Sequence, residues 1–283
     1  MKFQRKFTAA FLLTIILSSV ICMAQEEIIY KEIDTTKLVM KVYNPEKFDT
    51  TVKYPCIIFF FGGGWKIGNI NQFKQHAKYF SKRGMICFLA DYRVEKRQGT
   101  SPFESLMDAK SAIRFLREHA DEFHIDTARI VAAGGSAGGH LAAAAALIDG
   151  YNEKTDDLSI SCIPHALALF NPVIDNGPAG YGYNRVGEAY KDFSPLHNIN
   201  YGAPPTIMFF GTKDKLIPIE TAKYYQTAME KTDNRCELIF FEGEEHGFFN
   251  HRNFDNYKKT IIETDKFLQS LGYLQEDPVI EIK

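Results

Sequence analysis

The chain lacks the usual marks of metal, redox and nucleic-acid chemistry. It holds five cysteines in 283 residues, and none has the paired spacing of a zinc site. Cys56, Cys87, Cys162 and Cys236 lie beyond the N-terminal segment, three of them in or beside apolar strand-like runs. That placement suits buried thiols better than a disulfide framework. Basic residues do not outnumber acidic ones: 33 face 35, a formal charge of −2, which leaves no footprint for nucleic acid. There is no Gly-Lys-Ser/Thr and no Gly-x-Gly-x-x-Gly, so no phosphate cradle or dinucleotide turn is expected, and the sequence calls for no cofactor or metal. No internal repeat, linker or low-complexity run divides the chain.

What is present is ordinary globular composition, 45% hydrophobic and 24% charged, enough to build a sizeable core without staples. Lys2, Arg5 and Lys6 precede an apolar stretch from Phe7 to Val20, and Cys22-Met23-Ala24 offers a small-x-small cleavage pattern. Residues 1–24 therefore read as a secretory signal peptide, short for a membrane span. A lipidated-cysteine reading would use Cys22, but Ile21 is bulky for the residue before it. Without that segment 30 basic side chains would face 35 acidic ones. The expectation is a secreted or periplasmic protein with residues 25–283 as one domain and no stable membrane insertion. The oligomeric state is not legible.

Two β-rich segments, Ile28 to Ile33 and Leu38 to Tyr43, suggest an edge hairpin turning at Asp34-Thr35-Thr36. Continuous apolar runs then alternate with helical periodicities, as expected of strands covered on both faces. The runs are Cys56–Phe61, Met85–Ala90, Ile130–Ala133, Ala166–Phe170, Thr206–Phe210 and Cys236–Phe241. Helices are expected through Phe73, Ala77 and Phe80 with a stop at Gly84, and from the Ser101-Pro102-Phe103-Glu104 capping box to about Phe123. Others are expected behind Ser136, over Pro218–Met229, and from about Tyr257 to Leu271. The order argues for an α/β fold, a mostly parallel sheet with helices on both faces.

The sequence Gly134-Gly135-Ser136-Ala137-Gly138 places a serine between a buried strand and an alanine-rich helix. Glycines on either side permit a very sharp turn, and a helix N-terminus behind the serine favours developing negative charge. A serine hydroxyl needs a base, a group to orient that base, and donors for an oxyanion. The base expected is His246, in a Gly-flanked loop after the last strand. His76 and His119 fall on helices as surface or packing residues, and His140 lies one turn along the elbow helix, pointing away from the apex. The orienting acid expected is Asp214, just past Phe210, with Asp175 as the competitor. Oxyanion donors are expected from Ala137 and from Gly63 or Gly64 in the glycine loop.

With these residues in order, the mature chain resembles the α/β-hydrolase superfamily. The Gly-Gly-Gly-Trp loop, Asp91-Tyr92-Arg93 and Gly-Gly-Ser136-Ala-Gly-Gly-His resemble hormone-sensitive-lipase-type esterases. The run from Phe61 through Asn171-Pro172 and Pro204-Pro205 to His246-Gly-Phe-Phe-Asn250 resembles the acetyl-xylan/feruloyl-esterase-like branch of secreted bacterial enzymes. One departure is Phe61, where those esterases usually carry a loop-bracing histidine. The resemblance implies an α/β-hydrolase fold with a short cap inserted within residues 171–203, and it makes Asp91 and Arg93 a structural ion pair. It implies a secreted carboxylesterase acting on short acyl esters, with O-acetyl or feruloyl groups on xylan-type polysaccharide favoured. Trp65, Tyr181 and Tyr183 are then candidates to line an acyl or sugar site, although cap packing would use them equally well. The alternatives are a prolyl-oligopeptidase-like serine peptidase, a general lipase or esterase not acting on carbohydrate, and a catalytically inactive binding module. The peptidase reading is weakened by the lack of a propeller-length leading domain and of an acidic site for a substrate amine.

Overall fold

The computed structural model describes residues 26–282. The signal-peptide reading of residues 1–24 falls outside that range. Eight strands form one sheet in the order β1-β2-β4-β3-β5-β6-β7-β8. They are β1 (Glu26–Ile33), β2 (Thr36–Tyr43), β3 (Tyr54–Phe60), β4 (Ile86–Ala90), β5 (Ile125–Gly135), β6 (Ala166–Phe170), β7 (Thr206–Gly211) and β8 (Cys236–Phe241). β1 and β2 pair antiparallel, β2 pairs antiparallel with β4, and every pair from β4 to β8 is parallel.

The apolar runs become strands because both of their faces are covered. Along β3, Cys56, Ile58 and Phe60 pack into one core layer while Ile57 and Phe59 pack into the other. The first layer lies under α3 (Pro102–Glu118), α4 (Ala137–Leu147) and α7 (Ile219–Lys231); the second lies under α1 (Lys74–Lys82) and α8 (Phe254–Ser270). Six short helical turns complete the set among the described residues: α2 (Glu95–Gln98), α5 (Tyr183–Val186), α6 (Tyr190–Phe193) and 3₁₀ turns at Ile70–Phe73, Gly187–Ala189 and Pro195–Asn198. No helix among the described residues is long and apolar enough to cross a membrane.

α3 begins at the capping box: the Ser101 side chain accepts from Phe103 N, Glu104 returns a bond to Ser101 N, and Pro102 fills the first helical position. It ends at Glu118, five residues before the sequence suggests. His119 leaves helical geometry there, and a turn through residues 121–124 carries the chain into β5. The expected Asp91–Arg93 ion pair does not form. Asp91 pairs with Arg97 at 2.6 Å, and Arg93 turns inward to Asp108 at 2.8 Å. Asp108 and Ser111 lie three positions apart on α3, and Lys31 of β1 donates to both.

The parallel register brings the ends of β3, β5, β6, β7 and β8 to one edge of the sheet. The loops that leave this edge carry Gly62–Gly64, Ser136, Asn171, Asp214 and His246.

Candidate active site

Ser136 sits between β5 and α4 with φ 53° and ψ −119°, a region L-residues rarely occupy. Such a backbone costs on the order of 1–3 kcal/mol and persists only when surroundings over-determine it. Here they do. Ser136 N donates to Phe170 O at 2.9 Å, while Ser136 O accepts from His140 N and Val173 N, each at 3.0 Å. The neighbouring glycines are required by close approach. A Cβ on Gly134 would strike the Gly138 carbonyl, one on Gly135 the Phe249 ring, and one on Gly138 the Phe60 carbonyl.

His246 stands in the loop after β8. Its Nε2 lies 2.8 Å from Ser136 Oγ and its Nδ1 lies 2.7 Å from Asp214 Oδ2. Asp214 is held in turn: its Oδ1 accepts from Leu216 N at 2.8 Å and Ile217 N at 3.1 Å. The Asp214 side chain has no exposure, whereas that of His246 keeps 20%. A carboxylate facing Nδ1 fixes the proton there and leaves the Nε2 lone pair towards the serine hydroxyl. The base and acid loops also bond directly, through Gly243 N to Thr212 Oγ1 at 2.8 Å and Lys213 N to Glu244 O at 2.9 Å. Asp175 takes no part in this line; it accepts from Gly177 N at 2.8 Å and faces His197.

The glycine loop after β3 packs directly on the elbow, since a Cβ on Gly62 would lie 2.9 Å from Gly135 O. The Gly62 amide is occupied by Gln72, whereas the amides of Gly63 and Gly64 donate to no group among the described residues. Ala137, first residue of α4, has no intrahelical acceptor for its own amide. Two sets of unengaged backbone donors therefore flank Ser136. Phe61 stacks on Tyr92 with ring centroids 4.1 Å apart, and Tyr92 Oη donates to Phe61 O at 2.6 Å. The position that lacks a histidine is thus held by stacking and by a neighbour's hydroxyl.

The expected substrate residues separate. Trp65 does not offer a free ring: it is 1% exposed. Its edges meet His140, Tyr181 and Phe193, and the Arg185 guanidinium lies 5.0 Å over its face. The physical reason is that the segment after β6 folds back as short turns whose aromatics close over the glycine loop. Tyr181 does reach the site; its hydroxyl lies 2.7 Å from where a Gly64 Cβ would be. Tyr183 is half-buried and donates to Glu188 at 2.7 Å, towards the outside of the cap.

The sequence reading did not single out Asn171 for a side-chain role or Arg185, Gln72 and Asn250 for any. Arg185 donates to the Gly64 carbonyl. Asn171, with φ 37° and no exposure, accepts from Gly247 N at 2.8 Å through Oδ1. The Asn171-Pro172 dipeptide after a strand and the run that ends at Asn250 were sequence signals for two of the four; Arg185 and Gln72 had none. Two further histidines lie buried beside the site without joining it. His140 bonds the Phe193 carbonyl at 3.0 Å, and His76 sits among Phe59, Phe73, Phe170, Phe249 and Tyr257. Burial holds both imidazoles down at about 3.

Comparison with known proteins agrees with this geometry. The BD-FAE family model matches residues 40–175 and the prolyl oligopeptidase family model matches residues 173–269. The chain is 42% identical to a solved esterase 2 of Thermogutta terrifontis phosphoramylated by tabun, covering 90% of this chain and 98% of that one with a TM-score of 0.86. It is 40% identical to the butyrate-bound form of an esterase from the same organism, with coverages of 90% and 96% and a TM-score of 0.85. Among curated relatives it is 24% identical to an acetylxylan esterase of Xylanibacter ruminicola, over 77% of this chain and 46% of that protein. The chain spans about half the length of the curated relatives it matches. From the eight-stranded sheet, the elbow and a similarity that extends over nearly the whole of a solved esterase, the chain belongs to the α/β-hydrolase serine esterases.

Proposed function

We propose that the protein is a serine carboxylesterase that removes short acyl groups through Ser136, His246 and Asp214. The observation that carries this reading is the unbroken line from Ser136 Oγ to His246 Nε2 at 2.8 Å and from His246 Nδ1 to Asp214 at 2.7 Å, beside unengaged amides. Ser136 Oγ attacks the ester carbonyl as its proton passes to His246 Nε2. The oxyanion accepts from Ala137 N and from Gly63 or Gly64 N. The imidazolium, held by Asp214, returns the proton to the departing alcohol oxygen. Water, deprotonated by the same nitrogen, then releases the acid from the acyl-enzyme.

Short acyl groups are favoured because the Tyr181 hydroxyl closes on Gly64 and because the similar Thermogutta esterase is found with butyrate. Acetyl or feruloyl groups on xylan-type carbohydrate are the natural substrate in this reading, supported by the BD-FAE match and the acetylxylan esterase relative. Work on such a polymer requires export, which the basic and apolar pattern of residues 1–24 would provide. Hydrolysis of p-nitrophenyl acetate by the wild type, its loss in Ser136→Ala, and labelling of Ser136 by a fluorophosphonate form the test. Preference for chains of about ten carbons or more would overturn the short-acyl part. The prolyl oligopeptidase match over residues 173–269 supports a peptidase as the second reading. Release from a peptide p-nitroanilide, set against acetate release from acetylated xylan, decides between them.

A further inference from the structure

The glycine loop follows β3 and the base loop follows β8, with β5, β6 and β7 between them in the sheet. A run of side-chain amides crosses that gap. Gly62 N donates to Gln72 Oε1 at 2.6 Å, and Gln72 Nε2 donates to Asn250 Oδ1 at 2.9 Å. Asn250 Nδ2 donates to Gly247 O at 2.8 Å, and Gly247 N donates to Asn171 Oδ1 at 2.8 Å. Every link runs in the same sense from donor to acceptor. Turning over Gln72 or Asn250 would set donor against donor at one end and acceptor against acceptor at the other.

Resting on the esterase reading above, we infer that Gln72 and Asn250 are positioning residues that hold the oxyanion donors and His246 in one register. Two features give the run this role. By engaging the Gly62 amide, Gln72 fixes the Phe61–Gly62 peptide plane, one plane before that of the Gly63 amide, and leaves the next two amides unengaged. Asn250 grips the residue directly after His246, so the base is tied to the same brace as the donors. Phe61 cannot supply this brace, because its ring is stacked on Tyr92 and has no polar atom. Gln72 is itself set by a short turn that Asn69 caps through a bond to Asn71 N. The two bridging residues are 178 positions apart in sequence. The Gln72 and Asn250 amides are engaged with Gly62 and with each other, so their effect passes through geometry.

The test measures kcat and KM for p-nitrophenyl acetate in Gln72→Ala, Asn250→Ala, their double variant and Gln72→Glu. We expect kcat to fall about tenfold to a hundredfold in each single variant, as a misplacement of about 1 Å does, with KM within about twofold. The double variant should fall no further than the worse single one, because either change breaks the same connection. Gln72→Glu is nearly the same shape and still accepts from Gly62, yet it cannot donate to Asn250, so its kcat should fall as well. Independent losses that multiply, wild-type kcat in Gln72→Glu, or changes confined to KM or to melting temperature would overturn the inference. If Gln72→Ala does not fold, Gln72→Glu and Asn250→Asp carry the same comparison. Failure of the wild type to hydrolyse the ester or to take up a fluorophosphonate would instead remove the esterase reading itself.

Discussion

Two polar networks, one between β1, the end of β4 and α3 and one at the edge of the sheet where β5 and β8 end, are built to different rules. Under α3, Lys31 and Arg93 face Asp108 and Glu153: Lys31 Nζ is 2.7 Å from Asp108 and 3.0 Å from Glu153, and Arg93 Nη2 is 2.8 Å and 3.0 Å from the same pair. Two cations meet two anions, Ser111 adds a hydroxyl, and Arg93 N also donates to Asp108. The charges balance and the bonds are crowded. At the sheet edge, a single carboxylate orients a single imidazole, the serine backbone is strained, and at least two amides point at no partner. A saturated network holds elements together; an unsaturated one waits for a group that the protein does not contain. Conspicuous charges such as Asp91 and Arg93 are spent on partners within the fold, whereas the uncharged Gly63 and Ala137 keep the unengaged amides that the proposed mechanism uses.

Four outcomes would break or sharpen that contrast. The largest belongs to the unsaturated network. Ser136→Ala should lower kcat for p-nitrophenyl acetate by at least about 10⁴-fold and leave the urea midpoint nearly unchanged, measured side by side on one preparation. The saturated network should answer in the opposite way. Asp108→Ala would leave two buried cations, Lys31 and Arg93, sharing the one carboxylate of Glu153 and should cost about 3–5 kcal/mol in urea unfolding, with kcat of the folded fraction preserved. If it abolished turnover without destabilising the chain, the division between the two networks would be wrong.

The third concerns pH. Burial lowers the His76 and His140 imidazoles to about 3 in the folded protein, while an unfolded histidine titrates near about 6.5. The folded state therefore favours the neutral ring. Its contribution is fully present above about pH 6.5 and is lost as pH falls from there towards 3, at about 1.4 kcal/mol per pH unit for each site. Urea midpoints between pH 7 and 4 should fall accordingly, and His76→Phe, which suits the aromatic surround, should make the slope shallower by about one proton. The smallest effect is expected of an exposed ion pair. Lys37 and Glu32 keep 62% and 59% side-chain exposure, so Lys37→Ala should change stability by about 0.5 kcal/mol or less. A larger loss would show that exposure does not separate idle charges from working ones here.

The mostly parallel sheet and the placing of Ser136, Asp214 and His246 at one edge were legible because each rests on a local rule. Apolar runs must be covered on both faces, glycines must flank the sharp turn, and the loops after parallel strands must share an edge. What escaped the sequence depends on pairing at a distance. Nothing near Arg93 reveals that it turns to Asp108 rather than Asp91, and nothing near Gln72 reveals Asn250. Trp65 misled for a related reason. An aromatic beside a glycine loop can face a ligand or the cap above it, and only the fold of the segment after β6 chose the cap.

The glycines around Ser136 carry one more consequence. Gly134 abuts its own helix, Gly135 the Phe249 ring from beyond β8, Gly138 the Phe60 carbonyl at the end of β3, and Gly139 the Pro172 ring after β6. The turn can take its final shape only when all of those partners have arrived. Covalent capture of Ser136 by a fluorophosphonate should therefore register completion of the whole molecule in a single chemical event. Sampled during refolding from urea, that capture would trace the last assembled state, lagging behind any signal that reports helix content alone.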